Sequence, residues 1–215
     1  MALWLGEGMK REDFTTWTEW DPDGFLAVES NLAHYHGPPD EGGEAWLYRV
    51  LSAAPSLKTV LVVNPIDTEG SVTSKVIWGL DLSVPSAGDT VPELGLDIVT
   101  NVTAHFFSLH LYCTSLSTSD DSEVFHDGGA AMEITIQRSG ASLTADWGDE
   151  IPHPKLSVVA TADTLAYIWC PCIASGNGLL NEFTVGPLDI GRRHRRALLT
   201  GGGLGTRRLR TEGRL

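Results

Sequence analysis

The sequence predicts an all-β fold, a β-sandwich or jelly roll, preceded by an irregular arm and followed by a disordered basic tail. Three observations predict it. Short apolar or alternating runs recur at intervals of about ten residues, as strands of a sandwich do. Glycine (23 residues) and proline (11) punctuate them, which suits many short elements joined by turns. Thr, Val, Ile and aromatic residues are frequent through the middle of the 215-residue chain while lysine is scarce, a composition that fits a pleated, half-buried surface. The hydrophobic share of 42% is enough for a proper core.

Taken in order, residues 1–24 read as an irregular N-terminal arm, where Trp4, Trp17 and Trp20 interrupt polar sequence. Asp21-Pro22-Asp23-Gly24 is a turn signal. The domain then runs over 25–190. Phe25–His36 is extended and closed by Gly37-Pro38-Pro39. Glu44–Ala54 fits either a helix or a strand, because Trp46, Leu47, Val50 and Leu51 satisfy helical spacing. Thr59–Asn64 is an apolar run ended by Pro65, as in a buried strand, and Val72–Val84 extends to Pro85. In His105–Leu116 alternation puts Phe107, Leu109, Leu111 and Cys113 on one face and Phe106, Ser108, His110 and Tyr112 on the other. A polar loop at 117–123 precedes Met132–Arg138, with Met132, Ile134 and Ile136 on one side. Leu143–Trp147, Leu156–Thr161, Thr164–Cys170 and Glu182–Val185 complete the strands.

Charge divides the chain sharply. Residues 1–190 hold 7 Lys and Arg against 27 Asp and Glu, a net of −20, whereas residues 191–215 hold 8 Arg and one Glu, a net of +7. An acidic body repels nucleic acid and anionic membranes, and a basic string attracts both. Clustered like charges with few apolar residues predict a flexible tail over 191–215. The three cysteines, Cys113, Cys170 and Cys172, form no closed disulfide framework, which favours a reducing compartment. Met1–Leu5 is too short for a signal-peptide core, and no run approaches the roughly 20 apolar residues of a membrane span. The expectation is a soluble intracellular protein, or a virion and host-cytoplasm protein if viral.

The tail is the first functional candidate. Arg192, Arg193, Arg195, Arg196, Arg207, Arg208 and Arg210 flank a Gly201-Gly202-Gly203 spacer. Guanidinium groups grip phosphate oxygens through paired hydrogen bonds, so nucleic acid, RNA above all, is the expected partner, bound in a salt-sensitive way. His34-Tyr35-His36 followed by Glu41 is the second candidate. Two histidines at i and i+2 of a strand can meet one metal. The spacing His-x-His-x4-Glu resembles the first metal motif of the cupin family, and Gly79-x5-Pro85 echoes the second without its histidine. That resemblance implies Zn, Fe or Mn on His34, His36 and Glu41. No catalytic residue is nominated: nucleophile elbow, phosphate loop and His-Glu-x2-His are all missing. Asp120-Asp121 and Asp149-Glu150 read as solvated turns, and Trp147 and Trp169 as packing residues rather than a sugar-stacking platform.

A β domain joined to an arginine-rich arm resembles, in architecture, the coat proteins of small icosahedral RNA viruses. The resemblance implies a non-enzymatic, capsid-like subunit that self-associates into a homo-oligomer and binds nucleic acid through its tail, with no cofactor. The cupin-like metal protein is one alternative. A carbohydrate- or protein-binding β-sandwich is another.

Overall fold

The computed structural model describes residues 9–22, 24, 26–37, 43–51, 56–65, 73–84, 91–101, 106–125, 132–147, 155–163, 165, 167–175, 181–185 and 189–191. They form two antiparallel sheets packed face to face, so the expected β-sandwich is what the chain adopts. The nine-stranded sheet contains β1 (Met9–Arg11), β3 (Leu26–Glu29), β4 (Leu32–Gly37), β6 (Ser56–Pro65), β11 (Met132–Ser139), β12 (Ser142–Trp147), β13 (Lys155–Val159), β15 (Asn181–Val185) and β16 (Asp189–Gly191). The seven-stranded sheet contains β2 (Thr18–Trp20), β5 (Gly43–Val50), β7 (Thr73–Asp81), β8 (Leu94–Asn101), β9 (Phe106–Cys113), β10 (Thr118–Phe125) and β14 (Tyr167–Ser175), in the order β10-β9-β8-β7-β14-β5-β2.

Period-two alternation builds the core. Burial alternates residue by residue along β11, β12 and β13. The inner faces meet through Leu94, Leu96, Ile98, Leu109 and Leu111 on one side and Leu61, Val63, Ile134, Ile136, Leu143 and Trp147 on the other, all buried in one cluster. Each such side chain contributes roughly 1.5–3 kcal/mol when taken from water. Trp147 belongs to this core, as expected of a packing residue.

Each long side of the sandwich is closed differently. On one side the edge strands β10 and β13 meet. The Thr118 hydroxyl donates to the Val159 carbonyl at 2.7 Å, and the Ser157 N–H donates to Asp120 at 2.8 Å. On the other side residues 12–17 cross between the sheets. Asp13 caps a 3-10 turn at Phe14–Thr16, Phe14 and Trp17 plug the core, and their rings meet edge-on at 5.2 Å. Asn31, in the left-handed turn between β3 and β4 (φ 65°), holds the start of this segment at two points. Its side chain accepts from the Phe14 N–H at 2.9 Å and donates to the Glu12 carbonyl at 2.6 Å.

Several local expectations change. Residues 9–20 do not lie in an irregular arm: they supply β1, β2 and two core aromatics, because Phe14 and Trp17 bury apolar area that a loose arm would leave in water. Trp46, Leu47 and Val50 lie on a strand, not a helix, since β5 is paired on both edges by β14 and β2. Residues 118–123 are strand as well. A tight turn at 114–117, with Ser117 at φ 50°, delivers them to the sheet edge. Acidic side chains there discourage further pairing, as edge strands require. Strand β8 was not among the expected strands at all.

At the end of the described chain β16 pairs with β6 and with β1, and Met9 lies opposite Gly191. Gly191, the first residue of the expected tail, is therefore part of the sheet. Residues 192–215 lie outside the described residues.

Candidate functional site

Strand pairing assembles a mixed aromatic and polar surface on the outer face of the seven-stranded sheet. With Leu96, Ile98, Leu109 and Leu111 pointing inward, their neighbours point out. The register places Asp121 opposite His110, His110 opposite Asp97, and Asp97 opposite Ile77. Further along the same row Pro171 lies opposite Trp46, and Trp46 opposite Trp20. The next row holds Ser119, Tyr112, Gly95, Gly79, Trp169, Tyr48 and Thr18 in register.

The polar half centres on Tyr112. Its ring lies across the strand onto Gly95, where an added Cβ would stand 2.2 Å from the ring. Only glycine permits that approach. The phenol donates to Asp97 at 3.1 Å, and the ring lies 5.2 Å from that of His110. Burial first, then the Asp97 and Asp81 carboxylates, push the Tyr112 phenol far above the usual range, so it stays a neutral donor. His110 donates through Nδ1 to Asp121. Their side chains remain 41% and 67% exposed, so both can reach a ligand.

The aromatic half is a stacked pair. Trp20 lies on Trp46 with ring centroids 4.6 Å apart and planes 18° from parallel. Trp46 is fully buried and its indole N–H finds no partner among the described residues. Trp20 and Tyr48 are half-buried and form the accessible aromatic surface. The face thus offers carboxylate acceptors, a ring nitrogen and a flat apolar plate, a combination suited to orienting a ligand with both polar edges and apolar faces.

A second polar cluster sits inside one end of the sandwich. Arg138, on the inner face of β11, is 2% exposed and donates to the carbonyls of Thr161 and Asp163, the former at 3.0 Å. Burial lowers its pKa while Asp163 opposes the shift. The arrangement pins the crossover from β13 to β14 and is structural.

The residues nominated from sequence fall elsewhere. His34 and His36 lie two apart on β4 of the nine-stranded sheet, opposite Thr184 and Glu182. Glu41 lies outside the described residues, and among these no group of three or more His, Cys, Asp or Glu could hold a metal ion. The tail arginines and Asp149-Glu150 also lie outside them. Asp120 and Asp121 are on β10, not in a turn, and both make hydrogen bonds. Sequence reasoning missed Trp20, Trp46, Asp97 and His110 as a group. The one signal present was the alternation that set His110 and Tyr112 opposite the core face. Among the described residues no helix is long and apolar enough to cross a membrane.

No protein-family profile and no curated protein matches the sequence. Solved structures do share the fold. The legume lectin-like domain from Entamoeba histolytica is similar over 83% of this chain and 90% of its own, with TM-score 0.60 and 13% identity. The β-glucanase of Bacillus licheniformis is similar over 88% of this chain and 100% of its own, with TM-score 0.58 and 10% identity. The exoplasmic/lumenal domain of VIP36, in its Ca2+/Man3GlcNAc-bound form, covers 83% of this chain and 84% of its own, with TM-score 0.56 and 11% identity. The fold is therefore the lectin-like and β-glucanase type of β-sandwich, and at these identities the likeness speaks for the fold alone.

Proposed function

We propose that this chain is a carbohydrate-binding β-sandwich that holds a glycan on the outer face of the seven-stranded sheet. The observation that carries the reading is that one face of the sheet presents Trp20, stacked on Trp46, at one end and Asp97, His110 and Asp121 at the other, with the buried Ile77 between them. Sugars present apolar C–H faces that stack on aromatic rings and hydroxyl edges that donate to carboxylates. The neighbours lend support in kind, since one holds Man3GlcNAc and another is named a β-glucanase. Calorimetric titration against a panel of neutral oligosaccharides tests it. Trp20→Ala and His110→Ala should each weaken binding about tenfold or more, close to 1.4 kcal/mol per tenfold. Absence of binding across the panel, or binding indifferent to both changes, overturns the reading.

The charge break at Gly191 favours a second reading, confined to the tail. Eight arginines against one glutamate over 191–215 suit a polyphosphate-binding arm, as in a self-associating, RNA-packaging shell subunit. RNA retention by the full chain that falls steeply with salt and disappears on removing residues 192–215 is its expected signature. Equal RNA retention with and without the tail overturns it.

A further inference from the structure

We infer that the outer face of the seven-stranded sheet selects glycans by charge, taking amine-bearing sugars above neutral ones and rejecting anionic ones. This rests on the carbohydrate-binding reading and adds the chemical class of the ligand. The aromatic half, where half-buried Trp20 stacks on the buried Trp46 with half-buried Tyr48 in the next row, makes the face a binding surface. The polar half then sets the sign. Asp97 and Asp121 lie in the central row, Glu123 lies one row beyond opposite Ser108, and Asp81 ends β7. Against these four carboxylates the described side chains of the face bring one basic group, His110, and Asp121 already accepts from it. Lys75 and Glu44 take register positions in the Glu123 row, one of each sign, and leave the balance unchanged.

The hydrogen bonds show which carboxylates face a ligand. Asp81 accepts from the backbone N–H groups of Ser83 and Glu93, each at 3.1 Å, so it acts through its field. Asp121 is two-thirds exposed, and one contact from His110 leaves it acceptor capacity for a ligand ammonium or hydroxyl. Tyr112 stays protonated and supplies no anion, yet it supplies no cation either. An ammonium on the sugar gains a charge-assisted hydrogen bond here. A uronate or sulfate finds no arginine or lysine among the described side chains of the face. It must also approach a body whose residues 1–190 carry −20, a field that slows encounter before any contact forms.

The test is titration of the full chain with oligomers of equal length in three forms: free amino sugar, its N-acetylated form and the uronic acid. Sets built on glucose, galactose and mannose keep backbone stereochemistry from deciding the result. The amine form should bind about tenfold or more tighter than the N-acetylated form at low salt, with the ratio shrinking as the Debye length falls below about 8 Å. The uronic acid form should show no binding that Trp20→Ala or His110→Ala weakens, a readout that separates this face from the arginines of residues 192–215. Asp121→Asn combined with Glu123→Gln should lower the amine preference severalfold. Binding of N-acetylated and uronic forms as tight as the amine form, and equally weakened by Trp20→Ala, overturns the charge selection and leaves the carbohydrate reading standing. No binding by any set overturns both.

Discussion

Replacing Gly95 with alanine tests the packing on which the polar half of the face depends. The added Cβ would lie 2.2 Å from Tyr112 Cζ, 2.4 Å from its hydroxyl oxygen and 2.7 Å from Cε2. Tyr112 is 8% exposed and lies beside the His110 ring, so its ring cannot swing clear without leaving its site. Two costs follow. Loss of the hydrogen bond to the Asp97 carboxylate is worth about 1.5–3 kcal/mol. Crowding in a packed region adds about 1–3 kcal/mol. Removing glycine's excess chain entropy from a strand returns about 0.5–1 kcal/mol. The net is a destabilisation of about 2–5 kcal/mol, or a fall in Tm of roughly 4–20 °C for a chain of this size. Urea unfolding of Gly95→Ala, Tyr112→Ala and the double variant measures it as a cycle. With Tyr112 truncated the clash has no partner, so Gly95→Ala should there be neutral or stabilising by up to about 1 kcal/mol. Equal costs in both backgrounds, or a parent-like midpoint for Gly95→Ala, would refute the claim that the tyrosine lies on this glycine.

Other outcomes follow from the same geometry. Because the folded-state pKa of Tyr112 is raised, the stability it contributes is complete below the unfolded value of about 10 and declines above it, where only the unfolded chain releases the proton. Urea titrations should show that alkaline slope, up to about 1.4 kcal/mol per pH unit, and Tyr112→Phe should remove its share. Asn31→Ala loses two hydrogen bonds to residues 12–14 and should cost about 2–3 kcal/mol, with Trp17 fluorescence reporting the loosened segment. Arg138→Ala empties a buried side-chain site and strands two carbonyls, so a loss of about 3–5 kcal/mol in thermal unfolding is expected.

Where a strand carries its own two-faced pattern, the fold was readable. Leu109, Leu111 and Cys113 face the core as alternation required, and so do Ile134, Ile136 and Leu143. The failures have physical causes. Strand β8 contains Gly95 and Asp97, a poor β-former beside an acid, and both are tolerated because Tyr112 covers the one and hydrogen-bonds the other. Strand β10 is acidic because it is an edge, and an edge needs no second apolar face. Trp20 read as part of an arm because three residues paired to a distant strand leave no periodic trace. The candidate face was less legible still. It exists only through register between strands far apart in sequence, such as β14 inserted between β7 and β5, and register is a property of the pairing rather than of any one run.

The pairing of Met9 with Gly191 has an architectural consequence. Polypeptide enters and leaves the sandwich through adjacent antiparallel strands, so the whole unit behaves like a bead hung from a single knot. Such a unit can be spliced into a surface loop of a host protein, or circularly permuted with a short bridge from 191 to 9, without asking the host's loop ends to separate by more than roughly a strand spacing of 5 Å.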